Sequence, residues 1–184
     1  RGAGVPRAVA GAAAISVPFD LAHCAEALDR GFCRLVYTNN FLGTMRAKVR
    51  LKAERDPGLR AIVDVPGALR ARTFAEYDRA VTAPLNGFAN ERDYWARASS
   101  APYLGRIRRP TLLLNALDDP IVPPGALPDP ADLPSWVRAE FVPQGGHAAF
   151  LEGRWPWRVE SWAERHAVEF LAATGEGVPW ERLT

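Results

Sequence analysis

The residues of this chain that could do chemistry lie between Pro110 and Phe150, in PTLLLNALDDPIVP and FVPQGGHAAF. Each segment is a short apolar run that ends in a turn. The first turn carries adjacent carboxylates, Asp118 and Asp119; the second sets a histidine among small residues, Gly145-Gly146-His147-Ala148. A carboxylate held against an imidazole fixes its tautomer and stabilises the imidazolium, so that the other ring nitrogen can take a proton. An acid after one strand and a histidine after the next is the order of the last two members of a Ser/Asp/His triad on an α/β sheet. Asp119 is the expected acid, because it immediately precedes Pro120 and opens the D-x-x-V-P turn. Asp118 is left to cap the turn or to face solvent. Between Asp119 and His147 there is room for one loop, one strand and one turn, which lets both side chains leave the same edge of a sheet. The nucleophile should precede them on a G-x-S-x-G elbow, and no G-x-S-x-G occurs in the sequence.

Taken singly, each signal has a plainer meaning. Asp118-Asp119-Pro120 reads as a β-turn, and His147 as a surface-loop histidine. It is their order, after two apolar strands and before a helix, that favours a catalytic scaffold. Other residues rank lower. Ser16 ends a strand, but Ile15-Ser16-Val17-Pro18 lacks the small neighbours that a strained elbow needs. Ser99 and Ser100 follow a helix. His166 is expected to be a half-buried packing residue beside Trp162 and Phe170. His23, Cys24 and Glu26 point in different directions on a helix and make no metal site. Trp155 and Trp157 fit either an acyl pocket or packing under the last helix. No metal or cofactor is called for.

The elements that must position Asp119 and His147 follow from pattern. Residues 8–17 (AVAGAAAISV) form a small apolar run without alternation, as in a strand buried on both faces of a parallel sheet. Asp20 can cap a helix to about Arg30, with Gly31 as its breaker. Residues 32–54 read as a longer helix, with Phe32, Leu35, Val36, Phe41, Leu42, Met45 and Val49 as its apolar stripe. Asp56-Pro57-Gly58 and Asn86-Gly87 are turns. Thr73 and Asn90 are cap residues, Thr73 with Glu76 at capping-box spacing. The block 20–105 is thus helical and lies between two strands, the usual place of a lid insertion. Strands follow at 111–115 and 137–142, separated by a proline-rich loop at 123–134. Val159, Trp162, Ala163, Ala167, Phe170 and Leu171 place a closing helix from about Trp157 to Ala173, ended by Gly175 and Gly177. Strand, helical block, strand, loop, strand, helix is an α/β pattern with about three parallel strands. A doubly wound sheet normally has more, so the architecture looks truncated on its N-terminal side.

Bulk composition excludes several classes. The 184 residues can build one domain, with 48% apolar and 24% charged residues and a net charge of +2. That charge is too small to argue for nucleic acid. Arg106, Arg108 and Arg109 form a short basic group of the kind found at a solvated helix end. No apolar run approaches the 18 residues of a membrane-spanning helix. Cys24 and Cys33 lack metal spacing and fit free thiols in a reducing compartment, so a cytoplasmic location is expected. The sole Met is Met45 and the chain opens on arginine, which reads as the interior of a longer protein.

SVPFDL after the first strand, FAEYDRAVTAPLNGF, RDYWARASSAPYLGRIRRPTLLLNALDDP and GGHAAFLEG together resemble the C-terminal half of the YheT-type α/β-hydrolases, relatives of the abhydrolase esterases and lipases. The likeness runs from about residue 8 to residue 172. It implies a serine hydrolase of carboxylic esters, lipid-like or short-chain, with Asp119 as triad acid and His147 as triad base. The nucleophile and the oxyanion-hole donors would belong to an N-terminal half absent here. Asn86 stands where family members often carry histidine. The expected fold is the C-terminal part of an α/β-hydrolase fold with a helical lid at 20–105, inactive alone. Two other readings remain: a non-enzymatic module that self-associates through an exposed strand at 8–17, and an enzyme using Cys24 or Cys33.

Overall fold

The computed structural model describes residues 9–148, 150–155 and 158–176. Ala12–Ile15 (β1), Thr111–Ala116 (β2) and Val137–Val142 (β3) pair in parallel, in the order β1-β2-β3. Leu113 lies in register with Ala14 and, across the ladder, with Ala139. β2 is central, and all six of its residues are buried. Its side chains alternate between faces, as the strand period of two requires. Leu113 packs with Phe19, Leu104 and Val137, whereas Leu114 and Ala116 pack with Phe150 and Ala163. This explains why the run Leu112-Leu113-Leu114 shows no alternation of polarity in sequence.

The first strand differs from expectation. β1 is four residues long rather than ten, and Ala12 is exposed while Ala13, Ala14 and Ile15 are only partly buried. Among the described residues β1 pairs with β2 alone, so one of its edges is open. Its small residues have a packing reason. A Cβ at Gly11 would stand 2.9 Å from Thr174 Oγ1 and 3.1 Å from the Pro110 carbonyl. The closing helix therefore lies too near for a side chain. Residue 8 lies outside the described residues.

The closing helix is Trp162–Gly175, starting five residues later than its apolar spacing suggests. Leu151–Trp155 (β4) and Arg158–Ser161 (β5) form an antiparallel hairpin before it, which the pattern concealed. Val159 sits at helical distance from Trp162, yet it is a strand residue and 43% exposed. A local signal for the true start was present. Ser161 is the cap and accepts from the Glu164 amide at 3.3 Å, the first half of a capping box. Gly175 is the helix's last residue; Gly177 and Trp157 lie outside the described residues. The proline-rich connection contributes two 3₁₀ turns, Pro124–Ala126 and Pro130–Asp132.

Asp20–Ser99 forms a second compact unit, distinct from the one built by the chain up to Phe19 and from Ser100 onward. Its helices start at the expected caps. Asp20 accepts from the His23 amide ahead of Leu21–Leu28, Thr73 from the Glu76 amide, and Asn90 from the Asp93 amide ahead of Glu91–Ala98. Gly31, at φ +50°, interrupts the first helix. The segment that follows is helical from Gly31 to Arg55, with a π-helical stretch at Arg34–Thr38. Its apolar stripe is only half used. Leu42 and Val49 are buried in a cluster with Leu59, Val63, Val65 and Tyr77, but Phe32 and Leu35 are 71% and 70% exposed, and Val36 and Phe41 also face outward. The π-helical turn changes the pitch at this point, so Phe32, Leu35 and Val36, before and within it, do not continue the line of Leu42 and Val49.

Asp78 and Glu91 are the buried carboxylates of this unit. Glu91 takes a two-pronged contact from Arg79, through Nε at 2.8 Å and through Nη2, which holds its carboxyl below the usual range. Asp78 accepts from Trp95 Nε1 at 2.9 Å and Thr82 Oγ1 at 2.6 Å, yet burial outweighs these bonds and pushes its pKa up. A raised folded-state pKa means that the native state holds its proton more tightly than the unfolded chain. The stabilisation is then full below the unfolded value and is lost as pH rises through the folded one. Asp78→Asn should therefore raise the unfolding midpoint of this unit relative to the parent at pH 7, and the gap should close as the pH is lowered towards 4. Thermal unfolding at a series of pH values reads this. A gap that does not change with pH means that Asp78 contributes no linkage.

Candidate active site

Asp119 lies three residues past the end of β2. Its amide donates to the Ala116 carbonyl at 3.3 Å, turning the chain sharply after the strand. The carboxylate is completely buried, and its partners fill it. Oδ1 accepts from the amides of Ile121 at 2.8 Å and Val122 at 3.1 Å, and Oδ2 meets Nδ1 of His147 at 2.9 Å. Hydrogen bonds of this kind replace the water that a buried charge gives up. An ionised carboxylate can only accept, so the proton between the two groups sits on Nδ1. In the neutral ring Nε2 then carries the lone pair. The imidazole is 37% exposed, which leaves it reachable.

His147 is presented by a turn between β3 and β4 that only glycines can make. A Cβ on Gly145 would lie 2.5 Å from the ring of Phe150, and Gly146 has φ +61°. The Phe150 amide closes the turn onto the Gly145 carbonyl at 3.0 Å. Asp118 reaches across to the same turn. Its Oδ1 accepts from the amides of Gly145 at 2.9 Å and Gly146 at 2.8 Å. Asp118 thus serves the histidine turn, where the sequence left it to its own turn or to solvent. Adjacent acids divide the work, Asp118 taking the backbone of the histidine turn and Asp119 its ring. Nothing local in the sequence assigns Asp118 that partner, because the contact spans 27 and 28 residues.

Asp119 and His147 are thus brought together as expected from their order, and the lower-ranked residues lie elsewhere or do other work. Ser16 does approach the site, but its hydroxyl donates to the backbone carbonyl of His147 and not to the imidazole. Ser99 bonds the Trp95 carbonyl and the Leu21 amide as the end of a helix. His166 is packed, stacked on Trp162 at 4.9 Å between centroids, and also contacts Glu140 at 2.9 Å. His23 pairs with its own cap residue, Asp20, at 3.1 Å. Cys24 is buried and Cys33 partly so. Arg108 closes on the carbonyls of Gly105 and Ile107, an exposed helix-end arrangement. Trp157 and the side chain of Trp155 lie outside the described residues. Among the described residues no three His, Cys, Asp or Glu side chains cluster as a metal site, and no helix is long and apolar enough to cross a membrane.

Residues 29–154 match the family model described as the alpha/beta hydrolase fold, which is well over half of the chain. The chain belongs to the α/β-hydrolase family. Among curated α/β-hydrolase relatives it is similar to the putative esterase YheT of Escherichia coli K12, at 34% identity over 139 residues, 76% of this chain and 40% of that protein. It is similar to the human phospholipase ABHD3 at 30% identity over 166 residues, covering 90% of this chain and 40% of that protein. A third relative is the medium-chain fatty acid ethyl ester synthase/esterase 2 of Saccharomyces cerevisiae, 32% identical over 111 residues, 59% of this chain and 24% of that protein. The chain spans about 40% of the length of YheT and of ABHD3. No solved structure gives a significant match. The parallel β1-β2-β3 sheet with helices is part of an α/β-hydrolase fold.

Proposed function

We propose that this chain is the C-terminal portion of a serine carboxylic-ester hydrolase and supplies its triad acid and base, Asp119 and His147. The observation that carries the reading is the 2.9 Å contact from a fully buried carboxylate to a half-exposed imidazole, at the ends of neighbouring strands. In the complete enzyme the serine hydroxyl attacks the ester carbonyl while Nε2 of His147 takes its proton. The tetrahedral intermediate collapses, and the same proton passes to the departing alcohol. Asp119 keeps Nδ1 protonated and stabilises the imidazolium between these steps. Water then repeats the sequence on the acyl-enzyme.

The relatives' names, esterase, phospholipase and fatty acid ethyl ester esterase, support carboxylic esters with an acyl chain as the substrate class. An apolar helix face fits such a substrate. Phe32, just before the π-helical stretch, and Leu35 and Val36 within it are all exposed on the unit that interrupts the sheet between β1 and β2. That unit occupies the sequence position of a lid, and we assign it that role.

The serine and the oxyanion-hole donors supply the covalent step and the largest electrostatic term. The 184 residues alone should therefore give no turnover of p-nitrophenyl butyrate. A longer polypeptide that joins them to a segment bearing G-x-S-x-G should turn it over, and His147→Ala should abolish that activity. Turnover that survives His147→Ala, in either polypeptide, removes the assignment. The runner-up is a non-enzymatic module that pairs with another chain, favoured by the open edge of β1. A concentration-independent monomer in light scattering counts against it.

A further inference from the structure

Polar contacts reach the backbone of the histidine turn from the ends of both other strands of the sheet. Beyond β2, the Asp118 carboxylate oxygen takes the amides of Gly145 and Gly146 at 2.9 and 2.8 Å. At the end of β1, Ser16 donates its hydroxyl to the carbonyl of His147 itself. Ser16 is held for this at φ +55°, a left-handed backbone that a serine rarely adopts, while its amide still continues the ladder onto the Leu114 carbonyl at 2.8 Å. Strain kept in a non-glycine residue points to a local purpose.

Two successive glycines are the most mobile hinge the backbone offers. A triad base must nevertheless hold its ring within a fraction of an ångström of productive geometry. The hydrogen bond that Nδ1 donates to Asp119 orients the ring but does not fix the backbone that carries it. We propose that Asp118 and Ser16 are positioning residues that clamp this backbone, Asp118 from the amide side and Ser16 from the carbonyl side, and so hold Nε2 of His147 in place. The proposal rests on the reading of His147 as the triad base, but it can be tested without turnover.

The first readout is the hydrogen-bonded Nδ1 proton of His147, followed by proton NMR in the 184-residue chain. It should give a discrete downfield resonance in the parent. Asp118→Ala removes the acceptor of both glycine amides and should broaden or abolish that resonance. Asp118→Asn keeps an acceptor oxygen and should largely restore it. Ser16→Ala should broaden it to a lesser degree. The second readout needs no substitution. Amide exchange at Gly145 and Gly146 in the parent should be slowed about tenfold or more relative to an open loop. In a serine-bearing polypeptide, Asp118→Ala should lower kcat by about 10- to 100-fold with KM unchanged, and Asp118→Asn should recover most of it.

A resonance that stays sharp in both alanine variants overturns the clamp and leaves Asp119–His147 standing. Unprotected glycine amides in the parent also overturn it, which decides the matter even if Asp118→Ala does not fold. A parent that lacks the downfield proton overturns the Asp119–His147 pairing itself, and the clamp with it.

Discussion

Asp119→Asn, placed in a polypeptide that joins this chain to a serine-bearing segment, should lower kcat about 10⁴-fold and leave the unfolding transition almost where it was. The two halves of this result come from the two oxygens of one carboxylate. Oδ1 serves structure, because it accepts from the amides of Ile121 and Val122. Asparagine retains an oxygen that can do the same. Oδ2 serves the imidazole. Asparagine must put its NH₂ there, which donates where the carboxylate accepted. The imidazole then turns its lone pair to Nδ1 and its proton to Nε2, and a proton on Nε2 cannot take another from a serine. Asp119→Ala separates the roles from the other side. It orphans the amides of Ile121 and Val122, next to a side chain with no solvent exposure, at a cost of about 1–3 kcal/mol per unsatisfied group. Alanine should therefore lose both activity and stability, and asparagine activity alone. Initial rates paired with denaturant unfolding check both. Equal stability loss in the two variants removes the structural role of Oδ1. Loss of less than about tenfold in kcat for asparagine removes the triad acid.

What was legible in the sequence was what strong local chemistry decides. The caps Asp20, Thr73, Asn90 and the turns at Pro57 and Gly87 act within four residues of themselves, and their positions hold. The central strand announced itself through Leu112-Leu113-Leu114, because both of its faces are covered. The order of Asp119 and His147 could be read because parallel strands send their exits to one edge of a sheet. What escaped was decided at long range. The contact of Asp118 with the glycine amides depends on how β2 and β3 are brought into register. The β4–β5 hairpin was hidden because Val159 and Trp162 satisfy a helical spacing that the chain does not use there. Phe32 and Leu35 are exposed beside and within a π-helical stretch, and apolar periodicity cannot show a change of helical pitch.

Leu114→Ala should be among the most damaging truncations on the sheet, lowering stability by about 2–5 kcal/mol. Leu114 has no solvent exposure and sits on a strand paired on both sides, opposite Ile15 and Glu140, so the backbone has little freedom to close a cavity. Leu113, 3% exposed and on the opposite face, should lose a similar amount when truncated. The two differ in what borders the cavity. Leu114 shares its cluster with Phe150, and the Phe150 ring lies where a Cβ on Gly145 would stand, directly against the histidine turn. Space beneath Phe150 therefore loosens the turn, whereas space on the Leu113 side does not. The downfield Nδ1 proton of His147 should exchange faster with solvent in Leu114→Ala than in Leu113→Ala, at temperatures adjusted to equal fractional stability. Equal exchange in the two variants would mean that Phe150 does not transmit packing to the site, and that the polar contacts of the turn hold His147 unaided.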